Sequence, residues 1–309
     1  MDRDLILLSL MRKFEKEGIE CANALPLSSK SSFKIGGKAD LAVFPKNVSE
    51  LEYIVAYLND REIPYIAVGN GSNILFEDDG YRGCVIFTEK MNKIEVDGNR
   101  ITAGAGASVT ALSTAAKNAS LTGLEFSYGI PGSVGGAVVM NAGAYGGEVV
   151  QVIESCIAYD TEKCEVLTFG KDEMKLSYRH SIFSENENLI CICATFVLKD
   201  GKKEEIDAVM RDLMQRRISK QPLEYPSAGS VFKRPAPDLF AGKMIEDSGL
   251  KGYTVGGAQV SEKHAGFIIN IGGATAKDVL DLVKHIQSVV RANYDVELEC
   301  EIRRVGNGE

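Results

Sequence analysis

The strongest constraint on the fold of this 309-residue chain is a run of small residues near its middle. Residues 129–137 (GIPGSVGGA) hold four glycines and one proline, and residues 141–146 (NAGAYG) follow closely. Backbone with so few side chains permits positive φ angles and a close approach by another group. The run predicts either a surface for a flat cofactor that carries a pyrophosphate, or a helix packed tightly on a sheet.

A second glycine turn, residues 69–73 (GNGSN), follows a predicted strand. Backbone N–H groups in such a turn can approach a phosphate. The turn is not a Rossmann fingerprint, because Ile74 occupies the position of the third glycine, and the chain has no P-loop pattern. The sequence is compatible with a phosphate-binding turn and with a simple tight turn.

Charge and cysteine content exclude several classes of protein. The net charge of −8 argues against binding to nucleic acid or to a membrane surface, since either would normally need a basic patch. The seven cysteines form no C-x-x-C pair and only three histidines accompany them, so we expect no metal site. Scattered thiols fit a reducing cytosol, and we expect a cytoplasmic protein with no membrane span.

Hydrophobic periodicity predicts an α+β chain. A strand at 40–44, a helix capped by Ser49 and a strand at 64–68 form a βαβ unit. The other predicted helices cover 1–20, 109–118 (capped by Ser108), 204–220 and 276–293, and a final strand covers 296–305. We predict four parts: an N-terminal helix (1–20), two subdomains (21–83 and 84–200) and a C-terminal domain (201–309).

Three polar residues in the second half are candidates for chemistry. Arg179 ends a polar stretch, Ser230 lies in a glycine-led loop with two cations, and Glu301 lies on the predicted final strand. Each has an ordinary alternative. Arg179 can be a solvated surface charge and Ser230 a turn hydroxyl, while Glu301 can belong to a salt-bridged ladder on one face of its strand.

Taken together, these motifs resemble the UDP-N-acetylenolpyruvoylglucosamine reductases of bacterial peptidoglycan synthesis. The resemblance spans residues 30–305. No motif is specific by itself, but their combination is highly specific. The matching segments run in order as residues 33–37 (FKIGG), 69–73, 129–137, 141–146, 178–179 (YR), 228–235 (AGSVFKRP) and 299–303 (ECEIR).

The resemblance implies a fold, two cofactors and a reaction. The fold is an FAD-binding region of the vanillyl-alcohol-oxidase type in two subdomains, with an α+β C-terminal substrate domain. The reaction is the NADPH-driven reduction of the enolpyruvyl ether of UDP-N-acetylglucosamine, with non-covalent FAD, to UDP-N-acetylmuramate. The family implies no nucleic-acid partner.

The resemblance also assigns site residues. The catalytic residues are Arg179, Ser230 and Glu301. The cofactor-binding residues are Gly69, Asn70, Gly71, Ser72, Asn73, Gly129, Ile130, Pro131, Gly132, Ser133, Gly135, Gly136 and Ala137. The substrate-binding residues are Tyr145, Lys233, Gln259 and Arg303. We expect Arg179 and Glu301 to converge on the Ser230 loop, because a developing anion needs a cation and an acid around one small cavity.

The family has two types, which differ by a tyrosine-bearing loop between the catalytic arginine and serine. Only 51 residues separate Arg179 from Ser230, so the chain resembles the shorter type. Two positions depart from the family pattern. Cys300 replaces a usual proline, and Gly266 replaces a larger polar residue. Two other functions stay open: a flavin- or nucleotide-binding protein without catalysis, and a flavin oxidase.

Overall fold

The computed structural model describes residues 3–307, which divide into two compact units. The first unit contains residues 3–23, 40–70 and 83–216, and the second contains 24–39, 71–82 and 217–307. Within the described part of the chain, no helix is both long and apolar enough to cross a lipid bilayer. The division predicted at residues 20, 83 and 200 stays a prediction.

The described residues form eight α-helices and nineteen strands, together with four short 3-10 helices. The α-helices are α1 (Arg3–Lys16), α2 (Val48–Asp60), α3 (Val109–Asn118), α4 (Val134–Val139), α5 (Ile182–Glu185), α6 (Lys203–Lys220), α7 (Ala241–Asp247) and α8 (Ala276–Tyr294). The strands are β1 (Glu20–Pro26), β2 (Lys38–Phe44), β3 (Tyr65–Val68), β4 (Ile74–Phe76), β5 (Tyr81–Phe87), β6 (Ile94–Asp97), β7 (Arg100–Gly104), β8 (Leu121–Thr122), β9 (Gly143–Ala144), β10 (Gly147–Glu148), β11 (Ile153–Asp160), β12 (Glu165–Gly170), β13 (Leu189–Val197), β14 (Lys199–Asp200), β15 (Ser227–Ser230), β16 (Thr254–Val255), β17 (Ala258–Val260), β18 (Phe267–Asn270) and β19 (Arg303–Val305).

A five-stranded antiparallel sheet in the first unit carries the glycine-rich segment. Its strand order is β12–β11–β13–β7–β6. Alternate residues of β7 are buried, as expected for a strand with one covered face, and α3 and α4 pack against it. Ser108 caps α3 as predicted, since its Oγ accepts a 3.0 Å hydrogen bond from the Ala111 N–H.

The second sheet of the first unit has the order β1–β2–β5–β3. The predicted strand–helix–strand elements are present, but β5 lies between β2 and β3 and pairs with β3 in parallel. Buried residues of α1 and α2 share one apolar cluster with β2 and β5. Asn47, and not Ser49, caps α2: its side chain accepts from the Glu50 N–H at 2.9 Å.

The second unit is built on an antiparallel sheet of order β15–β18–β17–β16. One face of α8 is buried in the same apolar cluster as residues of α7, β17 and β18. Thr275 caps α8, because its Oγ1 accepts a 3.1 Å hydrogen bond from the Asp278 N–H. Ala228 of β15, the strand that ends at Ser230, is buried in the same cluster.

The predicted final strand at 296–305 is wrong over most of its length. Only β19, residues Arg303–Val305, forms a strand, and it pairs in parallel with β4. Residues 299–301 instead lie beside residues 231–233 through a single antiparallel bridge between Phe232 and Cys300. The chain changes its partner near Ile302, so alternation alone cannot assign Glu299, Glu301 and Arg303 to one face of a single strand.

Candidate active site

The two glycine-rich loops predicted to bind a cofactor meet, within the first unit, at Gly69 and Ser133. A Cβ atom on Gly69 would lie 2.1 Å from Ser133 Oγ, so this approach requires glycine. Ser133 is buried, while Asn70 and Pro131 are exposed. The loops thus present a surface poor in side chains, which fits the pyrophosphate and flat ring system of FAD.

The N–H groups at the start of α4 are used within the protein. The Val134 N–H donates to Ala107 O at 2.8 Å, the Gly135 N–H to Ala105 O at 2.9 Å and the Gly136 N–H to Ser133 Oγ at 3.3 Å. A helix N-terminus usually offers such groups to an anion. We therefore expect the predicted cofactor contact of residues 129–137 to use the bare backbone surface of the loop. The N–H groups of residues 134–136 at the start of α4 already have partners within the protein.

Close packing explains part of the same glycine run. A Cβ atom on Gly135 would lie 2.9 Å from the Cβ of Ala105, so α4 can approach the end of β7 only without a side chain there. The alternative that glycine serves helix packing is confirmed for Gly135. For the loop at residues 129–133, the predicted cofactor contact stays a prediction.

Arg179 occupies a tight turn at residues 177–180. The Ser177 N–H donates to His180 O at 3.1 Å, and the His180 N–H donates to Ser177 O at 3.2 Å. Arg179 has a φ of +55°, a left-handed conformation that costs a non-glycine residue on the order of 1 kcal/mol. Its guanidinium carbon lies 5.2 Å from the centre of the Tyr178 ring. Such strained backbone persists where surrounding contacts hold it, and it concentrates at functional sites.

Ser230 lies at the end of β15, opposite Phe267 of β18. The preceding Gly229 has a φ of +79°, and the register between the two strands shifts between Ser227 and Ser230. A bulge of this kind redirects the next side chain and is common beside active sites. Ser230 is half-buried, so its hydroxyl is neither sealed in the core nor freely solvated.

Ser230 and Glu301 lie on adjacent backbone segments in the second unit. The Glu301 N–H donates to the carbonyl of Val231 at 2.7 Å, one residue beyond Ser230. Glu301 is half-buried like Ser230. Arg179 belongs to the first unit, and its convergence with the other two residues stays a prediction.

Asn73 links the end of the first glycine turn to the segment that carries Glu301. Its side-chain Nδ2 donates to Glu301 O at 3.0 Å, and its own carbonyl accepts from the Arg303 N–H at 2.9 Å. Directly after these bonds along the chain, β4 pairs in parallel with β19. Asn73 was predicted to contact the cofactor, and the structure shows that its side-chain amide binds the carbonyl before Ile302 while its main-chain carbonyl binds the N–H after it.

Two predicted substrate residues lie close to Glu301 in sequence or space. The Lys233 N–H donates to Glu299 O at 2.9 Å, and the Lys233 ammonium pairs with the Glu299 carboxylate. Arg303 begins β19 and is exposed. The segment around Glu301 thus has Lys233, paired with Glu299, on the neighbouring segment and Arg303 two residues later, and contact of either residue with substrate stays a prediction.

The other two predicted substrate residues lie at hairpins. Tyr145 and Gly146 form the two-residue turn between β9 and β10, with φ values of +55° and +87°, and the Tyr145 side chain is exposed. Gln259 lies on β17, and its Nε2 donates to Thr254 Oγ1 at 3.0 Å. Their contact with substrate stays a prediction.

Gly266 has a role that the sequence did not indicate. Its carbonyl accepts from the Val231 N–H at 2.9 Å, and its own N–H donates to His264 Nδ1 at 3.1 Å. A Cβ atom at Gly266 would lie 3.0 Å from the His264 ring. Gly266 therefore supports the backbone next to Ser230. Burial lowers the pKa of His264, which keeps the ring neutral and Nδ1 able to accept.

The sequence matches known proteins along nearly the whole chain. Residues 221–305 match the family model "UDP-N-acetylenolpyruvoylglucosamine reductase, C-terminal domain", and residues 39–161 match "FAD binding domain". UDP-N-acetylenolpyruvoylglucosamine reductase from Clostridium perfringens strain SM101 is 50% identical over 281 residues, which cover 91% of each chain. The chain belongs to the UDP-N-acetylenolpyruvoylglucosamine reductase family.

Other members of the reductase family agree over the same length. The reductase of Caldanaerobacter subterraneus subsp. tengcongensis is 48% identical over 301 residues, covering 97% of this chain and 98% of its own. The crystal structure of the reductase from Thermus caldophilus superimposes with a TM-score of 0.78 at 33% identity, covering 93% of this chain and 98% of that one. The predicted fold class, an α+β FAD-binding region with an α+β C-terminal domain, is confirmed.

Proposed function

We propose that this chain reduces the enolpyruvyl ether of UDP-N-acetylglucosamine to UDP-N-acetylmuramate, with non-covalent FAD and with NADPH, in the cytoplasm. The observation that carries this proposal is the 50% identity to a reductase of that name across 91% of both chains. The FAD-binding match at residues 39–161 covers the predicted loops at 69–73 and 129–137. When bound, FAD supplies the two-electron chemistry that passes reducing equivalents from NADPH to the methylene carbon of the substrate.

Arg179 stabilises the charge that develops on the substrate. Addition of hydride at the methylene carbon leaves an electron pair on the neighbouring carbon, and that charge spreads into the attached carboxylate. A guanidinium is always protonated and presents a planar fork that matches a carboxylate. Donors that are already oriented toward developing charge make the largest contribution in many enzymes.

Ser230 completes the reaction by giving its hydroxyl proton to the carbon that bears the electron pair. A hydroxyl is a weak acid, so position and nearby cations have to assist it. Lys233 is three residues away and carries such a charge, although its ammonium also pairs with the Glu299 carboxylate. Glu301, held on the adjacent segment by the Val231 carbonyl and by Asn73, helps to polarise the same part of the substrate when it is protonated or acts through a bound partner.

We also assign the chain to the shorter type of the family. The interval between Arg179 and Ser230 contains α5, β13, β14 and α6 before β15 begins at Ser227. These four elements take up 33 of the 51 positions, and the longest connection in the interval, residues 221–226, has only six residues. A tyrosine-bearing loop has no room among them.

Product analysis tests the proposed function. Purified protein incubated with NADPH and the enolpyruvyl substrate is expected to yield a compound heavier by two hydrogen atoms, with one NADPH consumed for each product formed. Acid precipitation is expected to release all of the yellow chromophore into the supernatant as FAD. Chromophore retained in the pellet, with O₂ consumed in place of substrate, would indicate a flavin oxidase and overturn the proposal.

A further inference from the structure

Asn141 is a buried polar residue next to the turn that carries Arg179. Its side chain is only 1% exposed, yet its amide makes three hydrogen bonds. Nδ2 donates to Ser177 O at 3.0 Å and to Glu148 Oε2 at 3.2 Å, and Oδ1 accepts from the Val150 N–H at 2.9 Å. A buried amide with this many partners holds its neighbours in one arrangement, because any displacement leaves polar groups unsatisfied.

A second hydrogen bond holds the other end of the same turn. Ser181 Oγ donates to Val139 O at 2.6 Å, and Ser181 is fully buried. Val139 is the last residue of α4, and Asn141 follows it by two positions. The turn at residues 177–180 is therefore fastened at both ends to the same short segment, which leads from α4 into the β9–β10 hairpin.

The turn at Arg179 needs these hydrogen bonds to stabilise it, because a left-handed φ of +55° is unfavourable for arginine. The Ser177 carbonyl that accepts from Asn141 also closes the turn by accepting from the His180 N–H. Loss of the Asn141 bond removes the outside support from that carbonyl. The strained turn can then relax, and the guanidinium moves with it.

We propose that Asn141 is a positioning residue, which holds the Tyr178–Arg179 turn in the strained form that presents the Arg179 guanidinium to the substrate carboxylate. The proposal rests on the proposed function, since it concerns the reduction of the enolpyruvyl group. Through Glu148 and Val150, the same amide also ties the turn to the hairpin that carries Tyr145. Asn141 thus fixes the position of Arg179 relative to that of Tyr145, the two residues of the first unit that are predicted to contact the substrate.

A double-mutant cycle with Asn141→Ala and Arg179→Ala tests this. The measured quantity is the anaerobic rate at which the enolpyruvyl substrate reoxidises the reduced flavin. We expect Asn141→Ala to slow this step by about 10- to 100-fold, because a small misplacement of a catalytic group is costly. In the Arg179→Ala background the same change is expected to cost no more than about twofold, since Asn141 acts through Arg179. Flavin reduction by NADPH is expected to stay within about twofold in Asn141→Ala.

Ser113→Ala is the matched control. Ser113 is also 1% exposed in the first unit, and its Oγ donates to Leu124 O at 2.9 Å. We expect it to lower the urea midpoint in the same direction as Asn141→Ala without slowing flavin reoxidation. Equal slowing by both variants would show that general destabilisation is responsible, and the proposal would be wrong.

The remaining outcomes are also decisive. Independent, multiplicative effects of Asn141→Ala and Arg179→Ala would overturn the positioning role. If Arg179→Ala alone leaves reoxidation unchanged, the catalytic assignment itself fails, which separates that failure from a failure at Asn141. If Asn141→Ala does not fold, Ser181→Ala, which removes the bond at the other end of the turn, is expected to give the same non-additive pattern with Arg179→Ala.

Discussion

A single hydroxyl, that of Ser230, separates the two half-reactions of the proposed mechanism. The serine is needed only where a proton reaches carbon, after the flavin has already been reduced. Ser230→Ala is expected to leave flavin reduction by NADPH nearly intact and to slow reoxidation by substrate by roughly 10²–10⁴-fold, the range of general acid catalysis. Stopped-flow absorbance measures both steps. Equal losses in the two steps would assign Ser230 a structural or NADPH-binding role.

His264 gives the second unit a dependence on pH. Burial lowers its pKa, and its Nδ1 accepts from the Gly266 N–H only while that nitrogen is unprotonated. The unfolded chain takes up a proton at His264 near pH ~6.5, whereas the folded protein resists it. Stability contributed by neutral His264 is therefore present above that pH and is lost as the pH falls toward the lowered folded value.

His264→Asn tests this linkage. An asparagine Oδ1 can accept from the N–H two residues later without titrating. Urea midpoints measured at about pH 7.5 and about pH 5.5 are expected to differ less in the variant than in the unchanged protein. The same pH dependence in both proteins would show that other groups cause it.

At the scale of elements, local patterns predicted helices well and strand partners poorly. The apolar faces of α2, α3 and α8 and the cap at Ser108 follow from residues close in sequence. The partner of residues 296–305 does not, because hydrogen bonds to residues 231–233 and then to β4 are formed by distant parts of the chain. Alternation at Glu299, Glu301 and Arg303 is compatible with one strand or with two different partners.

The N-cap of α2 shows a local error of two residues. Ser49 was predicted as the cap, yet Asn47 accepts the 2.9 Å hydrogen bond from the Glu50 N–H. Asn47→Ala is expected to cost about 1 kcal/mol in the free energy of unfolding, and Ser49→Ala, at an exposed helical position, much less. Denaturant unfolding of the two variants measures the difference. A larger loss for Ser49→Ala would reverse the assignment.

At the scale of the whole molecule, the resemblance in the sequence predicted the fold class and the family. The supports of the predicted site were not predictable from the sequence. Asn141, Asn73 and Gly266 act through hydrogen bonds to backbone carbonyls and N–H groups. Such bonds depend on which backbone groups, distant in sequence, a side chain reaches in the folded protein. Neither motif spacing nor amino-acid composition contains that information. Asn141 lay inside a recognised motif, but only its burial and its three partners indicate a role.

The proposed function requires one protein to pass reducing equivalents from NADPH through bound FAD to an enolpyruvyl ether. An anaerobic single-turnover experiment follows both transfers in one sample. NADPH is expected to bleach the flavin absorbance, and one equivalent of the enolpyruvyl ether of UDP-N-acetylglucosamine, added without O₂, is expected to restore it fully. Flavin that stays bleached until O₂ is admitted, or a protein that takes up no FAD, would show that this chain is not such a reductase.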